Sequence, residues 1–453
     1  MKSERDLFRY IDAHAGAFIS DLQRLCRQPS VSAQGAGVEA CAQLLASQMR
    51  AKGIPARTEP APGGPPLVVA EIPGDSPRTL LIYDHYDVQP PDPLDEWDSD
   101  PFGAQIRDGR LFARGAQDTK GNIMARVAAV ESWLRVRGRL PVTVRFLIEG
   151  EEEIGSPHLG DALRAHPELA RADACLWESG AKDHNDVLNI YLGVKGILYV
   201  ELEAAGARRD LHSASGGIVP NPAWRLVWAL ETLKGPDEQV RIQGFYDDVL
   251  QPTAAELAQV ERIAAGRDDA AALQDLGIAA FVKHLTGTDL VRRNLFEPTC
   301  TICGLTAGYQ GPGSKTVLPR RASAKVDFRL VPAQRPEDIL AKLRDHLQRE
   351  GFGDIAVRVC GMEEPWKTPA DAPIVKVVAE TAEEVYGVPP VILPTQAGTG
   401  PMHVVCAPSN LPAVGTGIGH ARANVHGPNE NIRLDDYIQG IKHVALILER
   451  FAG

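Results

Sequence analysis

A histidine and an aspartate follow a short apolar run near the start of the chain. Residues 80–82 predict a buried strand, and His85 and Asp87 lie just beyond it. Side chains two apart on a strand point to the same face, so these two can touch. A carboxylate that holds one imidazole nitrogen often orients the other toward a metal ion. Alone, the pair is equally compatible with a surface histidine beside a turn.

Acidic residues crowd the ends of two further predicted strands. The strand predicted at 142–148 runs into Glu149-Gly-Glu-Glu-Glu, and the strand predicted at 174–177 runs into Glu178. Four carboxylates at one strand end repel one another unless cations neutralise them. Imidazole and carboxylate ligands with open positions suit zinc, manganese or cobalt in a catalytic site. Since ligands bind at the carboxyl ends of strands in open α/β sheets, the three ends together predict a metal centre.

Two other motifs contain chemically interesting side chains. Arg114-Gly-Ala-Gln-Asp-Thr-Lys-Gly opens a predicted helix. Its Asp118 is compatible with an N-cap, and equally with a carboxylate that faces a cation. Asn424-Val-His-Gly-Pro-Asn-Glu precedes the last predicted helix.

A Cys-x-x-Cys pair, Cys300 and Cys303, lies in a strand-like context with its sulfurs on opposite faces, so we interpret both cysteines as structural.

The composition excludes several classes of protein. The chain has 453 residues, which favours two domains, and its 44% hydrophobic and 24% charged residues are typical of a globular protein. A formal net charge of -11 disfavours a nucleic-acid partner. No apolar run is long enough to span a bilayer, so we expect no membrane partner. The charged start and the odd number of scattered cysteines, seven, favour a cytoplasmic location.

Strands and helices alternate in both terminal parts of the chain. Residues 7–25 predict an amphipathic first helix, and the alternation that follows predicts a layered α/β domain. After residue 194 the pattern changes to half-exposed strands and two amphipathic helices, which predicts an inserted α+β sandwich. We therefore expect a catalytic domain in two parts, 1–194 and 362–453, and an insert at 195–361. In the insert, the helix predicted at 222–233 carries an apolar face with Trp224 and Trp228.

Five motifs, in this order along nearly the whole chain, resemble those of the two-metal amidohydrolases and metallopeptidases. That family includes carnosinases, cytosolic non-specific dipeptidase, carboxypeptidase G, aminoacylases and succinyl-diaminopimelate desuccinylase. The motifs are Tyr83-Asp-His-Tyr-Asp-Val-Gln-Pro, Arg114-Gly-Ala-Gln-Asp-Thr-Lys-Gly, Glu149-Gly-Glu-Glu-Glu-Ile-Gly-Ser, Asp210-Leu-His-Ser and His426-Gly-Pro-Asn-Glu. Asp210-Leu-His-Ser and Asp327-Phe-Arg-Leu-Val-Pro look most similar to the dipeptidase branch. The resemblance implies a mixed sheet flanked by helices, with an inserted lid and dimerisation domain.

The resemblance also implies roles for individual residues. Asp118 would bridge two divalent ions per subunit, zinc in the first place, with manganese and cobalt as alternatives. His85 and Glu178 would complete one site, and Glu153 and His426 the other. The remaining implied roles are orientation of His85 by Asp87, general base catalysis by Glu152, polarisation of the scissile carbonyl by His212, and binding of the substrate carboxylate by Thr316, Arg329 and Thr399.

The sequence departs from most relatives at two positions, and at a third it matches the carboxypeptidase-like members instead of the cytosolic dipeptidases. Asp84 stands where most have glycine, Thr119 where most have aspartate, and Glu178 where the cytosolic dipeptidases have aspartate. The run Glu151-Glu152-Glu153 leaves the register open. We prefer Glu152 as the base and Glu153 as the ligand, and Glu151 with Glu152 is the alternative.

The predicted function is metal-dependent hydrolysis of dipeptides with a free C-terminal carboxylate. Two metals about 3.5 Å apart lower the pKa of a bridging water, and a glutamate takes its proton and passes it to the leaving amine. Arginine has the fork geometry that suits a carboxylate. The alternative on the same scaffold is an N-acyl amino acid deacylase. In dimeric relatives His212 and the residue matching Thr316 reach the partner's active site, so we expect a homodimer.

Overall fold

The computed structural model describes residues 2–453 as two compact units. The first unit contains the chain up to Gly193, Lys367–Thr395 and Pro401–Gly453. The second unit contains Val194–Trp366 and Gln396–Gly400. Each unit has its own hydrophobic core. Among the described residues, no helix combines the length and apolar character needed to cross a bilayer.

The helices and strands are numbered in chain order. The helices are α1 (Lys2–Ala13), α2 (Ala15–Cys26), α3 (Val38–Ala51), α4 (Gly121–Arg137), α5 (Leu159–Ala165), α6 (Pro222–Leu233), α7 (Ala254–Ala265), α8 (Asp269–Leu276), α9 (Gly287–Phe296), α10 (Pro336–Arg349), α11 (Pro373–Tyr386), α12 (Met402–Cys406) and α13 (Leu434–Phe451). The strands are β1 (Arg57–Glu59), β2 (Leu67–Ile72), β3 (Gly74–His85), β4 (Gln105–Arg107), β5 (Arg110–Phe112), β6 (Leu140–Glu149), β7 (Ala174–Trp177), β8 (Ala181–Lys182), β9 (Asn189–Tyr191), β10 (Gly193–Val194), β11 (Gly196–Ala205), β12 (Leu211–His212), β13 (Thr301–Ala307), β14 (Val317–Leu318), β15 (Arg321–Leu330), β16 (Ala356–Glu363), β17 (Trp366–Lys367), β18 (Val391–Leu393), β19 (Ala413–Gly415), β20 (Gly419–His420) and β21 (Asn431–Arg433).

The first unit is built on an eight-stranded mixed sheet. Its strand order is β1-β2-β6-β3-β7-β19-β9-β18, and β3 is parallel to both of its neighbours, β6 and β7. Residues 80–85 of β3 are all buried, as expected for a central strand covered on both faces. The expected α/β architecture is confirmed. The central position of β3 places its last residue, His85, at the middle of the carboxyl edge of the sheet.

The second unit is a two-layer sandwich. An antiparallel sheet, β13-β15-β11-β16, carries α6 and α10 on the face formed by Leu198, Val200 and Leu202. Alternate residues of β11 are buried, which is the pattern of a strand with one covered face. The helices α7 and α9 form a small separate cluster around Val260 and Leu295. The second unit thus has the α+β architecture expected of the insert, and it also includes Gln396–Gly400, which the sequence assigned to the catalytic domain.

The single first helix predicted over residues 7–25 is wrong. The structure has two helices there, α1 and α2, which are separated at His14. His14 has φ of -109° and ψ of 9°, outside helical values, and its ring Nδ1 lies 2.8 Å from the main-chain oxygen of Tyr10. Leu7 and Phe18 are both buried on the side that faces the core. The apolar periodicity therefore continues across the break and conceals it.

Candidate metal centre

The three strand ends that carry the predicted ligands lie side by side. In the parallel register of β3 and β6, His85 is opposite Glu149. In the register of β3 and β7, Ile82 is opposite Leu176, so Glu178 follows at the same edge of the sheet. His85 is buried, with 1% of its surface exposed. The sheet itself therefore brings the imidazole and the carboxylates together.

The His85 ring is held on one side and faces carboxylates on the other. Its Nδ1 lies 3.0 Å from the main-chain oxygen of Asp87 and 3.4 Å from an Asp87 carboxylate oxygen. Its Nε2 lies 3.2 Å from Asp118 Oδ1 and 3.3 Å from Glu178 Oε2. Glu152 Oε2 is more distant, at 4.0 Å from the same nitrogen. Contacts at Nδ1 thus fix the ring so that Nε2 points into the carboxylate cluster.

A second imidazole meets the other oxygen of Asp118. His426 Nε2 lies 3.0 Å from Asp118 Oδ2 and 3.2 Å from Glu153 Oε2. Gln89 donates a hydrogen bond of 2.9 Å to Glu153 Oε2, which orients that carboxylate. Asp118 therefore lies between His85 and His426, with one oxygen near each ring. This is the arrangement required of a carboxylate that bridges two cations.

Asp118 is not an N-cap. The N-cap of α4 is Lys120, and no side chain caps this helix end. Asp118 has φ of -117° and ψ of 87°, outside helical values, and its side chain turns toward the two imidazoles instead. The next residue, Thr119, donates its hydroxyl to the main-chain oxygen of His85 at 3.0 Å. The threonine that replaces the aspartate of most relatives therefore ties this turn to the end of β3.

Glu430 is a functional candidate that the sequence analysis missed. Its buried carboxylate accepts hydrogen bonds from the main-chain N–H groups of Gly115, Gln117 and Asp118, and from Arg114 Nη1 at 2.8 Å. The turn that carries Asp118 is thus built around this one carboxylate. In the sequence, Glu430 is visible as the last residue of the His426-Gly-Pro-Asn-Glu motif, but the motif by itself indicates no role for it.

The three consecutive glutamates have different surroundings. The Asp87 carboxylate accepts the main-chain N–H groups of Glu152 and Glu153, at 3.2 and 3.1 Å. These hydrogen bonds hold the loop so that the side chains of Glu152 and Glu153 both reach the cluster. Glu151 points elsewhere and pairs with His158, whose Nδ1 lies 2.8 Å from Glu151 Oε2. The geometry is thus consistent with the preferred register of Glu152 and Glu153.

The cluster contains more carboxyl groups than imidazoles, and burial opposes the ionisation of these carboxyl groups. Burial raises the pKa of Glu178 to about 8, and burial together with the Glu178 charge raises the pKa of Glu152 well above its usual value. Burial also opposes ionisation of Asp118, but hydrogen bonds from His426 and His85 outweigh it and lower the Asp118 pKa. Hydrogen bonds with Asp118 and Glu153 raise the pKa of His426 to about 10.

The donor set fits divalent cations. Glu178 Oε2 is buried and accepts no hydrogen bond from the described residues, so it offers a free lone pair toward the cluster. Cations at this place would keep the carboxylates ionised and would share imidazole and carboxylate ligands, as zinc, manganese and cobalt prefer. The side chains that could hold them are His85, Asp118, Glu153, Glu178 and His426.

The other predicted site residues lie in the second unit and form two groups. Arg329 donates Nη1 to the Thr399 hydroxyl at 2.7 Å and Nε to Asp327 at 3.0 Å. His212 lies on β12, which pairs with β14, and the main-chain oxygen of Thr316 accepts a hydrogen bond from the residue after His212. Within this unit the structure thus brings Arg329 to Thr399 and His212 to Thr316.

Comparison with known proteins identifies relatives along the whole chain. The family model described as Peptidase family M20/M25/M40 matches residues 81–450. The Cys-Gly metallodipeptidase of Schizosaccharomyces pombe is 30% identical over an alignment of 480 positions, which covers 98% of this chain and 97% of that protein. The Beta-Ala-His dipeptidase of Mus musculus is 28% identical over an alignment of 465 positions, which covers 96% of this chain and 93% of that protein.

Solved structures of similar fold cover the chain equally well. An M20 family metallo-carboxypeptidase from Sulfolobus solfataricus has a TM-score of 0.92 and 39% identity, over 96% of this chain and 99% of that one. Human carnosine dipeptidase 1 has a TM-score of 0.83 and 25% identity, over 99% of both chains. The family resemblance inferred from the motifs is confirmed.

Proposed function

The chain belongs to peptidase family M20/M25/M40, and from this membership we propose that it hydrolyses dipeptides with a free C-terminal carboxylate. The observation that carries the proposal is the cluster in which one aspartate lies between two histidines, with a glutamate beside each ring. The full-length relatives from S. pombe and mouse are dipeptidases by name, which supports the substrate class.

Two divalent ions would be held by this cluster. His85 and Glu178 would hold one ion, Glu153 and His426 would hold the other, and Asp118 would contribute to both. Zinc is the expected metal, and manganese and cobalt suit the same donors. When bound, the ions lower the pKa of the attacking water and stabilise charge on the carbonyl oxygen. The chain itself fixes the ligand geometry from β3, β6, β7 and the turn before α4.

Glu152 is the proposed general base. It lies beside the ligands, 4.0 Å from His85 Nε2, while the carboxylates of Asp118 and Glu178 lie nearer to that nitrogen. Burial and the charge of Glu178 raise its pKa well above that of a free glutamate, and such a group accepts a proton and then releases it readily. Glu152 would take a proton from water and pass it to the leaving amine. Asp87 would keep both Glu152 and His85 in position.

The second unit would supply the groups that bind the rest of the substrate. Arg329 and Thr399 are already hydrogen-bonded to each other, so the guanidinium fork is oriented before a carboxylate arrives. We assign the terminal carboxylate to Arg329, Thr399 and Thr316, and polarisation of the scissile carbonyl to His212. A dipeptide with a free carboxylate would use all of these groups.

A carboxypeptidase activity on longer peptides is the second candidate. It is favoured by the 39% identity to the S. solfataricus enzyme, which is described as a metallo-carboxypeptidase. Both activities require a free C-terminal carboxylate and differ only in the length of the peptide on the other side of the scissile bond. The relatives found do not favour the N-acyl amino acid deacylase that the sequence leaves open. A cytoplasmic location stays a prediction of the sequence.

The exposed face of α6 supports a homodimer formed through the second unit. Trp224 and Trp228 are 58% and 56% exposed, and their rings stack at 5.9 Å. Val227, on the same helix, is also exposed. The two tryptophans do not pack on the unit's own sheet, because the buried side of α6 is formed by other residues, among them Leu226. A contiguous apolar patch of this kind usually marks an interface, and a two-fold axis would pair it with itself.

Metal analysis combined with a matched substrate panel tests the proposal. We expect two divalent ions per chain, loss of amide hydrolysis on chelation, and recovery with zinc, manganese or cobalt. The panel compares dipeptides with their C-terminal amides, with tripeptides and with N-acyl amino acids, so that it varies one chemical feature at a time. Amidation should suppress hydrolysis. Full activity with one ion or none, or faster turnover of N-acyl amino acids than of dipeptides, would contradict the proposal.

A further inference from the structure

A buried arginine lies directly beneath the candidate metal centre. Arg126 belongs to α4 and is 1% exposed. Its Nη1 donates to the main-chain oxygen of Tyr83 at 2.8 Å. Its Nη2 donates to the main-chain oxygens of Trp177 and Thr416, at 2.6 and 3.0 Å. One guanidinium therefore joins the carboxyl ends of three neighbouring parallel strands, β3, β7 and β19.

The residues that Arg126 holds lead directly into metal ligands. Glu178 follows Trp177, and His85 is two residues after Tyr83. The rings of Tyr83 and Trp177 are themselves stacked at 3.8 Å, so the two strand ends are also packed against each other. Buried carbonyl groups at a strand end need donors, and Arg126 supplies them for both strands.

The residue before His85 completes this arrangement. Asp84 is fully buried, and its Oδ1 lies 2.6 Å from Arg126 Nη1. A buried guanidinium without a counter-charge would be costly and would repel cations bound nearby. Asp84 supplies that counter-charge from the strand that carries His85.

We propose that Arg126, neutralised by Asp84, is a positioning residue for the metal ion held by His85 and Glu178. This inference rests on the proposed two-metal function. It adds that Arg126 supports the ligands of one of the two ions and not those of the other. Arg126 contacts the strands that bear His85 and Glu178, whereas its hydrogen bonds do not involve the segments that bear Glu153 and His426. Loss of Arg126 should therefore weaken one of the two ions selectively.

Titration of the metal-free full-length chain with Co²⁺, followed by calorimetry and by the cobalt absorption spectrum, tests this proposal. The binding step that persists in His426→Ala identifies the ion held by His85 and Glu178. Arg126→Met should raise the Kd of that step by about 10- to 100-fold, the range found when residues behind metal ligands are replaced. The Kd of the other step should change by less than about threefold, because Arg126 makes no hydrogen bond to the described segments that carry Glu153 and His426.

Lys52→Met is the matched control for a general loss of stability. Lys52 is also a largely buried cation, and it joins Asp21 of α2 to Glu131 of α4. Among the described residues, its ion pairs involve no candidate ligand. We expect it to lower the melting temperature of the metal-free chain and to leave both Kd values unchanged. If Arg126→Met does not fold, Arg126→Lys replaces it, since lysine keeps the charge but lacks the two-nitrogen fork.

The outcomes separate this inference from the proposed function. A wild-type chain that binds no pair of ions refutes the function itself. A wild-type chain that binds two ions and cleaves dipeptides, with wild-type Kd values in the folded Arg126 variants, refutes only the positioning role. Equal weakening of both steps in an Arg126 variant also overturns it, because the proposal requires selectivity.

Discussion

Three adjacent glutamates show how one residue type takes different roles within a single turn. Glu151 pairs with His158, and this pair is enclosed by Gly63 and Gly64. A Cβ added at Gly64 would lie 2.6 Å from Glu151 Oε2, so a side chain there would displace the carboxylate. The next residue, Glu152, faces the cluster. The roles differ because Asp87 holds the main chain of the turn, and not because the side chains differ.

Replacement of Glu152 by glutamine should separate metal binding from catalysis. We expect Glu152→Gln to retain both metal ions and to lose roughly 10²–10⁴-fold or more in kcat, because the proton acceptor is removed while the ligands remain. Glu151→Gln is the matched control and should keep most activity, since Glu151 lies with His158. Metal content and steady-state kinetics are measured on the same preparations. Loss of turnover in Glu151→Gln with metal still bound would show that the other register is correct.

The elements of the first unit are joined by buried polar contacts as well as by apolar packing. His443 on α13 is buried, and its Nε2 lies 3.1 Å from the main-chain oxygen of Val378 on α11. Burial lowers the pKa of His443 to about 4, against which the hydrogen bond acts weakly. The folded protein therefore keeps this ring neutral where the unfolded chain would protonate it.

The stability of the first unit should fall as pH decreases from 6.5 to 4. In that window the unfolded chain binds a proton at His443 that the folded protein does not bind. The stabilisation that the neutral His443 gives to the folded protein is therefore complete above pH 6.5, and it is lost progressively as the pH falls to 4. The full loss is on the order of 3 kcal/mol. His443→Gln keeps a donor but does not titrate, so its free energy of unfolding should decrease less over this range.

Urea unfolding at several pH values measures this difference. The exposed His284 provides the matched control, and His284→Gln should follow the wild-type pH dependence. All three proteins are compared at the same metal concentration, so that titration of the cluster affects them equally. Parallel curves for His443→Gln and the wild type would show that His443 does not contribute.

At the scale of the whole molecule, the candidate chemistry is divided between two units. The five candidate ligands and Glu152 lie in the first unit, and His212, Thr316, Arg329 and Thr399 lie in the second. Each unit has a separate core, so each set of residues is positioned independently within its own unit. The exposed tryptophan pair on α6 gives the second unit a surface suited to self-association.

Mixed dimers test whether the active site is shared between subunits. We expect His212→Ala and Glu152→Gln each to be inactive as homodimers. If His212 acts in the partner's site, a mixed dimer contains one site with both residues intact and one site with both residues replaced. The mixed dimer should then recover up to half of the activity of a wild-type dimer. Activity is assayed after subunit exchange has been confirmed with differently tagged chains. Exchange without recovery would refute the shared site, and a monomer at assay concentration would refute the dimer.

The sequence by itself determined the fold class, the family and the residue types of the metal centre. These follow from local information: apolar periodicity specifies each strand and helix, and charged groups at strand ends are visible as motifs. The convergence of His85, Glu152 and Glu178 could be predicted because parallel strands share a carboxyl edge.

Only the tertiary structure decided the features that depend on contacts distant in sequence. Glu430 is more than 300 positions from the turn that it organises, and no periodicity signals that contact. The sequence showed Asp84 as a departure, and its partner Arg126 became visible only when α4 was packed against the sheet. The break at His14 and the exposure of Trp224 were hidden for the same reason. Side-chain direction is decided by packing among several elements, and a linear pattern does not encode it.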